Sequence, residues 1–219
     1  SVYFFSMPNC RNHQVLITLD LEGTLIPDVW PIIAAKTGVE EFKITTREFP
    51  DFEELMAKRI EAMNKHGLKL KDIEDVCRQI PPLPGAKEFL EWLRARHNVI
   101  ILSDIVFELG TLFMQQLGNP TLFCNWLEVD KDGVVQKCTM RQPNGKEHAV
   151  NAFHALKYKV VAAGDSYNDI NMLKTADRGF FINAPSKIES EFPQFPLAKD
   201  FQHLTELMDK ALQEIMDAM

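Results

Sequence analysis

The hydrophobic pattern of the chain repeats one arrangement several times. Residues 14–19 (QVLITL) are a short apolar, β-branched run that stops abruptly at Asp20-Leu21-Glu22-Gly23-Thr24. Such a run predicts a buried strand that feeds a polar loop. Residues 99–102 form a second run ending at Ser103-Asp104, and residues 160–163 a third ending at Gly164-Asp165. Between the runs, apolar residues fall at helical spacing. Ala86, Phe89, Leu90 and Leu93 mark one helix, and others are expected up to Gly118, over 146–158 and from Asp169. Short strands are expected at 121–124 and 179–182. Segments 126–130 and 134–140 flank Lys131-Asp132-Gly133, which predicts a hairpin. A final helix carries Leu204, Leu207, Met208, Ala211, Leu212 and Ile215 on one face, more consistent with a core than with a partner groove. Strand–helix alternation predicts an α/β fold with a doubly wound, mostly parallel sheet covered on both faces. In such sheets the site lies beyond the carboxyl ends of the strands.

One segment breaks the alternation. From residue 28 to 82 the texture is helical and charged, with Phe52, Leu55, Met56, Ile60 and Met63 on one face and Gly67 as a stop. Pro81-Pro82 and Pro84-Gly85 then punctuate the chain. The expected organisation is a core of residues 7–27 and 83–219 with a small inserted helical cap, residues 28–82. Arg59 sits in the middle of the cap's apolar stripe. A charge there is costly unless it is paired or faces a wet cavity, so it reads either as a structural salt bridge or as a ligand contact.

Composition narrows the function. Lys+Arg 24 against Asp+Glu 31 gives a net charge of -7, which argues against a nucleic-acid footprint or a polybasic membrane contact. No apolar run approaches the roughly 18 residues needed to span a bilayer. The 4 cysteines form no C-x-x-C pair and read as reduced thiols of a cytoplasmic protein. The apolar residues 1–6 make a poor secretory signal and are set aside from the fold. The 6 histidines are scattered and form no cluster.

Chemistry concentrates at the strand ends. Asp20 with Glu22, Ser103 with Asp104, and Asp165 with Asp169 would converge if their strands are neighbours. Carboxylates gathered this way need a cation, and oxygen donors select a hard one such as Mg²⁺. A bound Mg²⁺ points to a phosphate substrate. Ser103 can donate to a phosphate oxygen. Lys146, following the helix-entry signal Pro143-Asn144-Gly145, can neutralise one, although Lys157 and Lys159 lie nearby.

These motifs resemble the haloacid dehalogenase-like phosphohydrolases. D-L-E-G-T-L at Asp20, Ser103, Lys146 and G-D-S-Y-N-D at Gly164 match the four motifs of that family in order. Within it the chain resembles the phosphoserine phosphatases, most closely the bacterial subgroup that also transfers phosphate to homoserine. The resemblance implies a role for each site residue. Asp20 is the nucleophile that becomes an aspartyl phosphate, and Glu22 is the general acid and base. The usual family residue at the Glu22 position is Asp, but the bifunctional subgroup has the same Glu. Ser103 and Lys146 bind the phosphate, and Asn168 binds substrate or phosphate. Mg²⁺ is held by Asp20, the backbone carbonyl of Glu22 and Asp165, with Asp169 orienting groups behind it. Arg59 grips the substrate carboxylate and Asp28 its ammonium. The implied partners are phosphoserine and homoserine, without nucleic acid or membrane, and a homodimer is an assembly the resemblance allows. Two rivals stay open: the same machinery acting on another small phosphate ester, and a catalytically idle protein that binds a phosphorylated ligand.

Overall fold

The computed structural model describes residues 14–45, 49 and 51–218. Among the described residues seven strands form one sheet: β1 (Val15–Leu19), β2 (Asn98–Val106), β3 (Thr121–Val129), β4 (Val135–Thr139), β5 (Lys159–Gly164), β6 (Arg178–Ile182) and β7 (Leu197–Ala198). Their order is β4-β3-β2-β1-β5-β6-β7, and only β3 with β4 is antiparallel. The chain builds outward from β1 to β4, then returns to β5 on the other side of β1. That reversal opens a crevice at the carboxyl end of β1, where open α/β sheets bind ligands.

Alternate side chains of the central strands enter different cores. Val15, Ile17 and Leu19 of β1 join one cluster and Leu16 the other; Val161 and Ala163 of β5 join the first, Val160 and Ala162 the second. Burial on both faces explains why these strands read as continuous apolar runs. Helices α4 (Ala86–Arg94), α5 (Phe107–Gln116) and α9 (Phe201–Asp217) cover the first face. Helices α6 (Gly145–Ala155), α7 (Ile170–Thr175) and α8 (Ser186–Glu191) cover the second. The apolar stripe of α9 lies in the core, as its pattern indicates.

The described part of residues 28–82 contains α1 (Val29–Thr37), a 3-10 turn (Glu40–Lys43), α2 (Phe52–Lys65) and α3 (Leu70–Cys77). The Asp51 carboxylate caps α2 by accepting from the Glu54 amide at 2.9 Å. The apolar stripe of α2 packs partly on β4. Asn64 donates to the Val135 carbonyl at 3.4 Å, and the Leu70 amide donates to the Gly133 carbonyl at 3.0 Å. The hairpin therefore forms an arm beneath these helices.

The structure corrects three boundaries. The two short strands expected at 121–124 and 126–130 are one strand, β3. Its first half pairs with β2 and its second with β4. The apparent break at Asn125 is a buried carboxamide whose hydrogen bonds are satisfied inside the sheet. β2 does not end at Ser103 but runs to Val106, with a register shift between Leu102 and Val106. α6 stops at Ala155 rather than Tyr158, because Lys157 turns left-handed at φ 68°. The described cysteines Cys77, Cys124 and Cys138 are buried and unbridged, and burial pushes their thiols up to about 12, 11 and 11. Cys10, His13 and residues 1–6 lie outside the described residues. Among the described residues no helix is long and apolar enough to cross a membrane.

Candidate active site

The sheet ladder itself brings the carboxylates together. The Asp20 amide donates to the Ala163 carbonyl at 3.0 Å, which seats Asp20 beside Gly164-Asp165. Oxygens of Asp20, Asp165 and Asp169 lie within 4.8 Å of one another, and all three residues are buried. Two glycines make this approach possible. A Cβ on Gly23, which has φ +80°, would overlap the Asp165 carboxylate, and one on Gly164 would overlap that of Asp169.

Lys146 enters from the first turn of α6 and is itself buried. Its Nζ donates to Oδ1 of Asp20 and to Oδ1 of Asp169, each at 2.7 Å. The other oxygen of Asp169 accepts from the amides of Asp165 at 2.9 Å and Ser166 at 3.1 Å. Asp169 is thus committed to holding Lys146 and the β5–α7 loop. Lys159 pairs instead with Asp177 at 2.8 Å, and Lys157 is exposed. Burial lifts the Asp20 carboxyl well above the usual range; the charge of Asp169 adds to this and Lys146 opposes it. Burial also works against the Lys146 ammonium, but Asp169 and Asp20 outweigh it and hold its pKa well above the ordinary lysine value. Three carboxylates against one ammonium leave an excess of buried negative charge. All-oxygen donors with that excess fit a hard divalent cation such as Mg²⁺.

A cavity of about 60 Å³ opens in front of this cluster. Asp20, Glu22, Asp28, Arg59, Ser103 and Asn168 all line it. Ser103 sits buried in the β2 irregularity, where its Oγ accepts from the Ile105 amide at 3.2 Å. The Glu22 carboxylate accepts from the Val29 amide at 3.3 Å, at the start of α1. Burial pushes its carboxyl up to about 7, against the pull of that hydrogen bond and of Arg59. A carboxyl that titrates near neutrality suits proton transfer in both directions.

Arg59 is 4% exposed despite its charge. Its guanidinium lies 4.3 Å over the Trp30 ring, donates from Nη2 to the Ile44 carbonyl at 2.9 Å and approaches the Met56 sulfur at 3.6 Å. Its Nε has no hydrogen-bond partner among the described residues. Burial lowers its pKa to about 10, with Glu22 and Asp28 pulling the other way. No structural salt bridge neutralises it among the described residues.

Two asparagines were not foreseen. Asn125 donates to the Asp104 carbonyl and accepts from the Arg141 amide, both at 3.0 Å, and so pins the β2 irregularity. Asn183, at φ 57°, donates to the Gly23 carbonyl at 3.1 Å and holds the loop after β1. Asn183 follows β6, so a signal existed: it is a polar residue at a fourth strand end.

A model of the haloacid dehalogenase-like hydrolases matches residues 15–177. The chain belongs to that family. It is 47% identical over 186 residues to phosphoserine phosphatase ThrH of Pseudomonas aeruginosa, covering 85% of this chain and 91% of that one. A phosphoserine phosphatase of Pseudomonas syringae is 46% identical over 193 residues, covering 88% and 81%. A solved phospho-aspartyl intermediate analogue of phosphoserine phosphatase superposes with a TM-score of 0.70 at 20% identity, covering 89% of this chain and 99% of that one. At that identity the likeness shows the fold.

Proposed function

We propose that this family member is a Mg²⁺-dependent phosphatase of O-phospho-L-serine that works through an aspartyl phosphate at Asp20. The observation that carries the substrate is the buried, incompletely paired Arg59 facing the same small cavity as Asp20 and Glu22. A bidentate carboxylate is the partner that a buried guanidinium lacks. The Pseudomonas relatives support the reading.

Lys146 holds one Asp20 oxygen and orients the other toward phosphorus. As the phosphorus–oxygen bond of the ester breaks, Glu22 gives its proton to the serine oxygen. Glu22 then takes a proton from water, which opens the acyl phosphate and frees Asp20. Asp20, the Glu22 carbonyl and Asp165 are the residues that would hold Mg²⁺; when bound it neutralises charge on the phosphoryl group. Ser103 and Asn168 donate to the phosphate, and Asp28 takes the substrate ammonium. Residues 28–82 act as the cap that closes the cavity against bulk water.

Homoserine differs from serine by one methylene, which costs about 1–3 kcal/mol in an adaptable pocket. It therefore fits the same Asp28 and Arg59 handles, and Glu22 would deprotonate its hydroxyl as it does water. The test is a panel of phosphorylated amino acids and an aryl phosphate, with and without Mg²⁺, read by phosphate release and repeated with rising homoserine. Phosphoserine should be the best substrate, only with Mg²⁺, and homoserine should yield O-phosphohomoserine at the expense of free phosphate. Equal rates on the aryl phosphate would reject the substrate, and serine release without any ester would reject the transfer.

A further inference from the structure

Asp104 is a carboxylate in the proposed phosphate pocket, where an unheld negative charge would repel the ligand. It lines the same cavity as Asp20, Ser103 and Arg59. Two hydrogen bonds fix it. Its backbone carbonyl accepts from the buried Asn125 carboxamide at 3.0 Å, which holds the backbone from which the side chain projects. Its Oδ2 accepts from Nδ2 of Asn168 at 3.0 Å, a contact that spans the end of β2 and the loop after β5. The carboxamide oxygen of Asn168 is taken by the Ser166 hydroxyl.

A carboxamide has two N–H donors and one oxygen. With the oxygen engaged by Ser166 and one N–H by Asp104, a single N–H of Asn168 remains, and its direction is determined. We propose that Asp104 is a positioning residue: it orients the Asn168 carboxamide so that its remaining N–H meets the phosphoryl group. The proposal rests on the phosphatase reading above. It makes the Asp104 contact common to every phosphate ester, because it acts at the phosphoryl end and not on the amino-acid part.

The experiment compares Asp104→Ala, Asp104→Asn, Asn168→Ala and the Asp104→Ala/Asn168→Ala double variant on phosphoserine and on an aryl phosphate, with a thermal melt of each. Asp104→Ala should lower kcat about 10-fold on both substrates with KM nearly unchanged, the size expected for one misdirected hydrogen bond. Asp104→Asn retains an acceptor oxygen and should restore kcat to within about 2-fold. The double variant should be no slower than Asn168→Ala alone, since the two residues act as one unit. Losses on phosphoserine alone, in both Asp104→Ala and Asp104→Asn, would overturn the proposal and make Asp104 a contact of the substrate ammonium. Additive losses, or a lower melting temperature with kcat unchanged, would overturn it as well. A wild-type protein that hydrolyses neither ester would sink the phosphatase reading first and this proposal with it.

Discussion

The two ends of the cavity are built on opposite principles. At the strand-end side, Lys146 is shared by Asp20 and Asp169, Asp169 also takes two backbone amides, and the remaining excess of negative charge is of the kind a cation neutralises. At the helical side, Arg59 is equally buried but among the described residues holds only a carbonyl, a sulfur and an aromatic face, with Nε unused. A network of this kind faces the phosphoryl group alone and can serve any phosphate ester. The incompletely paired Arg59 is a standing desolvation cost that a ligand carboxylate would relieve. The contrast teaches that reaction and selection are separable here. In the proposed function the sheet serves the first, and residues 28–82 serve the second.

Substitutions on the sheet side should damage all substrates alike. Asp20→Asn removes the attacking charge while keeping the shape, and phosphate release should fall by at least about 1,000-fold on any ester. Near-normal turnover, with the amide confirmed by mass spectrometry, would end the covalent mechanism. Glu22→Gln retains an acceptor for the Val29 amide but cannot shuttle a proton, so a loss of about 100-fold or more is expected, again on any ester.

Glu22 also makes a prediction for the metal-free protein. Its carboxyl is raised from 4.5 to about 7, so between those values the folded state binds more protons than the unfolded state. The stability contributed by the protonated form should therefore be complete below about pH 4.5 and lost as pH rises toward 7. Thermal melts over this range should show a shallower decline in Glu22→Gln than in the wild type; parallel slopes would contradict the raised value. The smallest effect is expected from Gly23→Ala. A left-handed φ costs a β-carbon residue about 1–2 kcal/mol, and the new methyl would displace Asp165. A lowered melting temperature together with weaker Mg²⁺ binding is expected, measured by calorimetry and metal titration.

How much of this was legible in the sequence depended on the kind of signal. β1 and β5 are buried on both faces, so each reads as an apolar run cut off by an acid, and Asp20 and Asp165 stand out at the cut. Arg59 was legible because a charge in an apolar stripe violates the helical period. β3 was misread, because Asn125 looks like a break when its partners, 16 and 21 residues away, are unseen. The support of α2 by the hairpin was illegible for a similar reason. It rests on contacts such as Asn64 to Val135, 71 residues apart, and neither residue type announces the other. Asn183 also stands at a strand end, after β6, but a neutral carboxamide carries no charge to mark that end as Asp20 and Asp165 mark theirs.

The most direct test of the separation is one ratio. Arg59→Ala is measured on phosphoserine and on an aryl phosphate that has no carboxylate, and kcat/KM is compared with the wild type on each. The account predicts a loss of about 100-fold on phosphoserine, as for a buried charged contact, and a change of less than about 3-fold on the aryl ester. Equal losses on the two substrates would show that Arg59 supports the fold of the pocket, and that selection is not built on the helical side.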